Sequence, residues 1–213
     1  MSCSSAATSA EPPGSVLDAA SALARLERPG IKRGAAAVAI LACGDGEFLW
    51  QRKTPGYPVP SQVGGLCLFG GNKEADDAKA RETLERELLE ELGPDAVATL
   101  TPFARFVIDA SADVMAPKPA YCFTVCVFYA SLPRAPNKTE EGLLEVHSTA
   151  SLSAEKFCWG YHHVFNAWAT EADRNMSHAK AGSATLAPLL ACTVSRIAAD
   201  ADVGAWASGE TWR

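Results

Sequence analysis

An α/β sandwich, with helices on both faces of one sheet, is the fold this sequence predicts, and three observations carry it. Segments of strand character and segments of helical periodicity are interleaved through the middle of the chain rather than segregated. One stretch, Asp77 to Leu92, carries leucines at helical spacing and ends at Gly93-Pro94. Another, Ala120 to Ser131, alternates Tyr121, Phe123, Val125 and Val127 with Cys122, Thr124, Cys126 and Phe128, so both its faces are apolar, as in a central strand covered on two sides. The chain of 213 residues, 48% hydrophobic and 21% charged, suffices for one such domain with appendages.

Taken in order, residues 1–14 are rich in Ser, Ala, Pro and Gly and are expected to be disordered. Residues 15–33 form a helical extension: Ser15 to Arg28 sets Val16, Ala20 and Leu23 on one face, and Pro29-Gly30 ends it. The domain proper spans 34–172. Ala35 to Cys43 and Phe48 to Arg52 are strands joined at Gly44-Asp45-Gly46, a hairpin signal. A Pro- and Gly-rich loop, Thr54 to Gly65, leads to a short strand, Leu66 to Phe69, and then to the Gly70-Gly71 pair, read as a loop. Phe103 to Asp109 precedes the central strand, and Ala110 to Pro119 is a turn-rich loop between them. After a polar stretch, Leu143 to His147 forms a further strand. Glu155 to Glu171 is a second long helix with Phe157, Tyr161, Val164, Phe165 and Trp168 at helical spacing, a core stripe. Residues 173–213 hold a loop, a terminal helix from Leu186 to Ala199, and a tail whose Trp206 and Trp212 either dock on the domain or make a homodimer contact.

The stretch from Gly70 to Gly93 carries the chemistry. Leu84, Leu88 and Leu92 make one apolar stripe, and Glu87, Glu90 and Glu91 stand three and four apart on a neighbouring face. Like charges at those spacings repel by tenths of a kcal/mol per pair, so their concentration beside a buried stripe invites a cation. Carboxylate oxygens favour a hard ion, Mg2+ or Mn2+.

These residues resemble the signature of the Nudix hydrolases, metal-dependent enzymes that cut diphosphate bonds: G-x5-E-x7-R-E-U-x-E-E-x-G-U, with U apolar. Gly71 is followed after five residues by Asp77, and Arg86-Glu87-Leu88-Leu89-Glu90-Glu91-Leu92-Gly93 matches the second half. Asp77 replaces the usual Glu, eight residues rather than seven separate it from Arg86, and Pro94 takes the final apolar place. Longer boxes in the family carry an Asp in the first half and a Thr where Thr83 stands. The resemblance implies an αβα sandwich of the Nudix type with a mixed sheet. It also implies metal ligation by Glu87, Glu90, Glu91 and the Gly70 carbonyl, with Arg86 holding the carboxylates. One further carboxylate from a late loop is expected as ligand or base. Glu140, Glu141 and Glu145 are the candidates, Glu141 the preferred one, and Glu87 is the other possible base. The implied substrate is a small nucleotide-linked diphosphate. Tyr57 either stacks on its ring or packs the loop.

Two alternatives stand beside hydrolysis: a catalytically silent nucleotide-binding module of the same fold, and a Nudix-fold isomerase that needs a catalytic cysteine, for which Cys67 is placed. A net charge of -6 argues against a general nucleic-acid binder. No apolar run reaches the ~18 residues of a membrane span, and no basic-then-apolar leader opens the chain, so the expected place is the cytoplasm. Seven irregularly spaced cysteines fit reduced thiols.

Overall fold

A computed structural model describes residues 15–44, 46–94, 100–136, 139–175 and 192–198. The strands are β1 (Val16–Leu17), β2 (Lys32–Ala42), β3 (Glu47–Arg52), β4 (Leu66–Cys67), β5 (Phe69–Asn72), β6 (Thr101–Ala110), β7 (Tyr121–Ser131), β8 (Leu143–Ser148) and β9 (Cys192–Ile197). The helices are α1 (Ala19–Leu26), α2 (Ala80–Leu92), α3 (Ala112–Met115) and α4 (Tyr161–Asn175).

All nine described strands join one mixed sheet in the order β1-β9-β6-β7-β2-β3-β4, with β5 also paired to β2 and β8 to β3. Its spine is the parallel pair of β2 and β7, in register from Lys32 opposite Tyr121 to Ala42 opposite Ser131. Parallel strands must be joined by a long crossover. Here that crossover contains β3, β4, β5, α2 and β6, which carries α2 onto one face. Small residues on β2 make room for it: Ala37 and Ala39 pack with Leu84 and Leu88 of α2, Phe69 and Phe128. On the other face Val38, Ile40, Trp50, Phe106, Phe123 and Val125 pack against Phe157, Tyr161, Val164 and Phe165. The sheet is therefore covered on both sides, as the two apolar faces of β7 predict. Among the described residues no helix is long and apolar enough to cross a membrane, and the described cysteines are free thiols.

Several boundaries differ from the sequence expectation, each for a local reason. Helix α2 starts at Ala80 rather than Asp77. The Glu82 carboxylate accepts from the Ala78 and Lys79 N–H groups and caps it there, while Asp77 stays in the preceding loop. The Gly70-Gly71 pair lies in β5, hydrogen-bonded to β2, rather than in a loop. Helix α4 is delayed to Tyr161 because Trp159 and Gly160 have φ of +54° and +71°, which a right-handed helix excludes. In the N-terminal extension, Val16 belongs to a strand and is exposed, as is Leu23. Asp18 caps α1, and the face that packs on the sheet holds Ala22 and Leu26.

The terminal helix expected over Leu186 to Ala199 is corrected. Residues 192–197 form β9, antiparallel to β6 and parallel to β1. Thr193, Val194 and Ile197 are β-branched, and burial of Cys192, Val194 and Ser195 against the sheet outweighs any local helical tendency. The expected disorder of residues 1–14, the start of that helix, Trp206 and Trp212 lie outside the described residues.

Candidate active site

The site forms where β5, α2, the end of β3 and the 139–142 loop meet. Gly70 lets β5 lie close against β2, and Gly71 admits a carboxylate where a side chain would block it. A Cβ on Gly70, whose φ is +124°, would stand 2.2 Å from the Ala37 carbonyl oxygen, and a Cβ on Gly71 would stand 2.4 Å from the Glu87 carboxyl group. Into this space α2 delivers three glutamates in three environments. Glu91 is buried; its Oε2 accepts from the Gly70 N–H at 3.0 Å and its Oε1 from Gln51 Nε2 at 2.9 Å. Burial pushes its pKa up to about 7, against the pull of Gln51, Gly70 and Lys53, and repulsion from Glu141 adds to the rise. Glu87 is less buried and bonded to Arg86 at 2.9 Å. Desolvation raises its pKa more than Arg86 lowers it, and Glu90 and Glu141 push the same way. Glu90 is exposed and meets Arg86 at 3.5 Å.

Arg86 is the hub that the resemblance implies. Its guanidinium donates to Asp77 at 3.1 Å, to the Asn72 carbonyl at 3.1 Å and to Glu87. The extra loop residue before the helix finds its explanation in the same place. Asp77 Oδ2 accepts from Thr83 Oγ1 at 2.7 Å and from the Glu74 N–H at 2.8 Å as well as from Arg86, and Arg86 foremost holds its pKa down at about 2. The Asp and the Thr therefore work as a pair that fastens the box loop to the helix.

Of the three late candidates, Glu141 is the one that reaches the site. It is exposed, lies 3.7 Å from Lys53 Nζ, and is near enough to raise the pKa of Glu87 and Glu91. The Glu140 N–H donates to the Glu91 carbonyl at 3.0 Å and docks the loop on the end of α2. Glu145 is committed elsewhere: Arg52 grips both its oxygens at 2.6 Å, and His147 bonds it at 2.8 Å.

Two residues of the site escaped the sequence reading. Gln51 and Lys53, two apart on and just after β3, are both buried, and Lys53 Nζ donates to Gln51 Oε1. No periodic signal marked them, since Phe48, Leu49 and Trp50 precede Gln51 as a continuous apolar run. Tyr57 packs against the main core with Lys53 Nζ 4.9 Å above its ring. Cys67 is buried in the same core, so the isomerase alternative finds no exposed thiol there.

Four carboxylates, Glu87, Glu90, Glu91 and Glu141, thus face two cations, Arg86 and Lys53. Glu87 and Glu90 turn to Arg86, Glu91 to Gln51 and Gly70, and Glu141 to Lys53, and among the described residues no three His, Cys, Asp or Glu side chains converge on one point. The donor set nevertheless suits a divalent ion. It is all hard oxygen, burial first and neighbouring carboxylates second raise the pKa of Glu87 and Glu91 so that a cation would favour their charged forms, and neither glycine places a side chain beside it. Sharing one ion requires Glu87 and Glu90 to turn from Arg86.

Comparison with known proteins gives the family and the fold. The NUDIX domain family matches residues 32–167. Among solved structures, the MutT protein of Methanosarcina mazei Go1 superposes with a TM-score of 0.52 at 19% identity, over 68% of this chain and 99% of that one. The dihydroneopterin triphosphate pyrophosphohydrolase of E. coli superposes with a TM-score of 0.51 at 18% identity, over 66% of this chain and 98% of that one. At such identities the likeness is one of fold. No curated protein matches the chain.

Proposed function

Because the chain belongs to the Nudix family, we propose that it hydrolyses the diphosphate linkage of a small nucleotide-linked substrate with the help of a divalent cation. The observation that carries this reading is the approach of two box glutamates to the glycine pair, Glu91 bonded to the Gly70 N–H and Glu87 seated over Gly71, with Glu90 and Glu141 near enough to act on their pKa values. Glu87, Glu90, Glu91 and the Gly70 carbonyl would hold Mg2+ or Mn2+. Such an ion neutralises phosphate charge, orients the diphosphate and lowers the pKa of water.

The protein's own groups divide the remaining work. Arg86 restrains Glu87 through its bond and ties α2 to the loop through Asp77 and the Asn72 carbonyl. Glu141 takes the proton of the attacking water. It is exposed to solvent, which can receive that proton in turn, and Lys53 faces it, whereas Glu87 is assigned to the cation. The water oxygen bonds to one phosphorus as the bond between that phosphorus and the bridging oxygen breaks, and the other phosphoryl group leaves with the bridging oxygen. Buried Glu91 is held by two donors and serves as a fixed ligand rather than a proton carrier. Free thiols and the acidic composition are in keeping with a cytoplasmic enzyme acting on small molecules.

A panel of nucleoside triphosphates, nucleotide sugars and dinucleotides incubated with Mg2+ or Mn2+, with products identified by mass, tests the proposal. Metal-dependent products divided between two phosphorus atoms are expected. Silence across the panel, with nucleotide binding retained, transfers the weight to the silent binding module.

A further inference from the structure

Gln51 is fully buried, 0% exposed, in the layer between the sheet and α2. A primary amide has two unlike ends, a donating NH2 and an accepting oxygen, which a half-turn interchanges. Both ends are engaged here. Nε2 donates to Glu91 Oε1 at 2.9 Å, and Oε1 accepts from Lys53 Nζ. A lysine ammonium can only donate, and an ionised carboxylate can only accept. Turning the amide over would set NH2 against ammonium and oxygen against carboxylate, with little water to relieve either conflict. Lys53 therefore dictates which end of Gln51 Glu91 meets. Lys53 is itself held in place, 7% exposed, between the face of Tyr57 and the Glu141 carboxylate. With the Gly70 N–H on its second oxygen, the Glu91 carboxylate is fixed by one donor from β5 and one from β3.

We propose that Gln51 is a positioning residue that aims Glu91 into the site, and that Lys53 supports cation binding at Glu91 indirectly, by locking the Gln51 amide in the one productive orientation. This rests on the reading of Glu91 as a metal ligand. It makes a counterintuitive claim about sign. A lysine beside a metal site acting only through its charge repels the cation, so its removal tightens metal binding; a lysine acting through Gln51 has the opposite effect.

The test is Mn2+ binding to the full, substrate-free chain, followed by the electron paramagnetic resonance of the free aquo ion. Gln51→Met and Lys53→Met each weaken binding about tenfold or more, the range seen when a group that orients a ligand is lost. Lys53→Arg, which keeps a donor-only cation, stays near the wild type. The double variant is no weaker than Gln51→Met alone, because both changes break one chain of contacts. Tighter binding in Lys53→Met, wild-type binding in Gln51→Met, or additive losses in the double variant would overturn the inference while leaving the metal site standing. Absence of Mn2+ binding in the wild type overturns both the metal assignment and the inference built on it. Should Gln51→Met fail to fold, Lys53→Met and Lys53→Arg decide the matter: loss with Met and recovery with Arg support the lock, and any other pattern refutes it.

Discussion

Replacing Glu91 by Gln should make the metal-free protein more stable above neutral pH while destroying its activity. Folding raises the Glu91 pKa from its ordinary 4.5 to about 7, chiefly by burial. The folded state therefore holds this proton more tightly than the unfolded chain. As pH climbs from 4.5 to 7, the folded state alone remains protonated, so stability falls through that window and is lowest above it. At about 1.4 kcal/mol per pH unit, the ionised carboxylate costs the fold about 3 kcal/mol at pH 8.5. Glutamine removes the charge without opening a cavity, but its NH2 must face either the Gln51 NH2 or the Gly70 N–H, which returns about 1–2 kcal/mol of the gain. Urea unfolding with chelator present should show the advantage of Glu91→Gln growing by about 2–3 kcal/mol between pH 5 and pH 8.5. A difference between variant and wild type that stays the same from pH 5 to pH 8.5 would refute the reasoning.

The two adjacent glycines should fail differently. Gly70→Ala drives a Cβ into the β2 backbone at positive φ and is expected to cost at least about 3 kcal/mol, seen as a large drop in unfolding midpoint. Gly71→Ala meets only the movable end of Glu87, so it should fold nearly normally while turnover on the identified substrate falls at least about tenfold. Thr83→Val keeps the shape of a fully buried side chain but withdraws one donor from Asp77, and should lower stability by about 1–2 kcal/mol in chemical denaturation. Since Asp77 is held at about pKa 2 by Arg86 first, its contribution is present above about pH 4 and is lost as pH falls toward 2. The acid-unfolding midpoint should therefore move upward in Thr83→Val. Glu141→Gln should lower turnover by about 10²-fold or more and leave Mn2+ affinity less changed than Glu91→Gln does.

The sequence made the centre of this molecule legible because two periodic signals were strong. The leucine stripe located α2, and the doubly apolar run located β7; Leu84, Leu88, Val125 and Cys126 are all buried as those patterns require. Element ends were less legible because single side-chain contacts decide them. Asp77 reads as helical by spacing, yet its bonds to Thr83 and Arg86 hold it in the loop. Trp159 at positive φ interrupts a helix that periodicity alone extends to Glu155. Strand β9 was hidden because its partners, β6 and β1, lie 82 or more residues away from it in sequence, and helical tendency is a local property. The box glutamates carried a recognisable spacing. Gln51 and Lys53 carried none, since their importance comes from facing Glu91 and Glu141 across the fold.

On the proposed function, the box carboxylates serve the cleavage of a diphosphate by water. Turnover in 18O-labelled water, with products resolved by mass for the wild type and Glu91→Gln at a pH where both are folded, reads this out. One 18O atom is expected on a phosphoryl product of the wild type, formed only with Mg2+ or Mn2+, with a rate lower by orders of magnitude in the variant. Unlabelled products, or equal rates in the two proteins, would refute hydrolysis through these carboxylates.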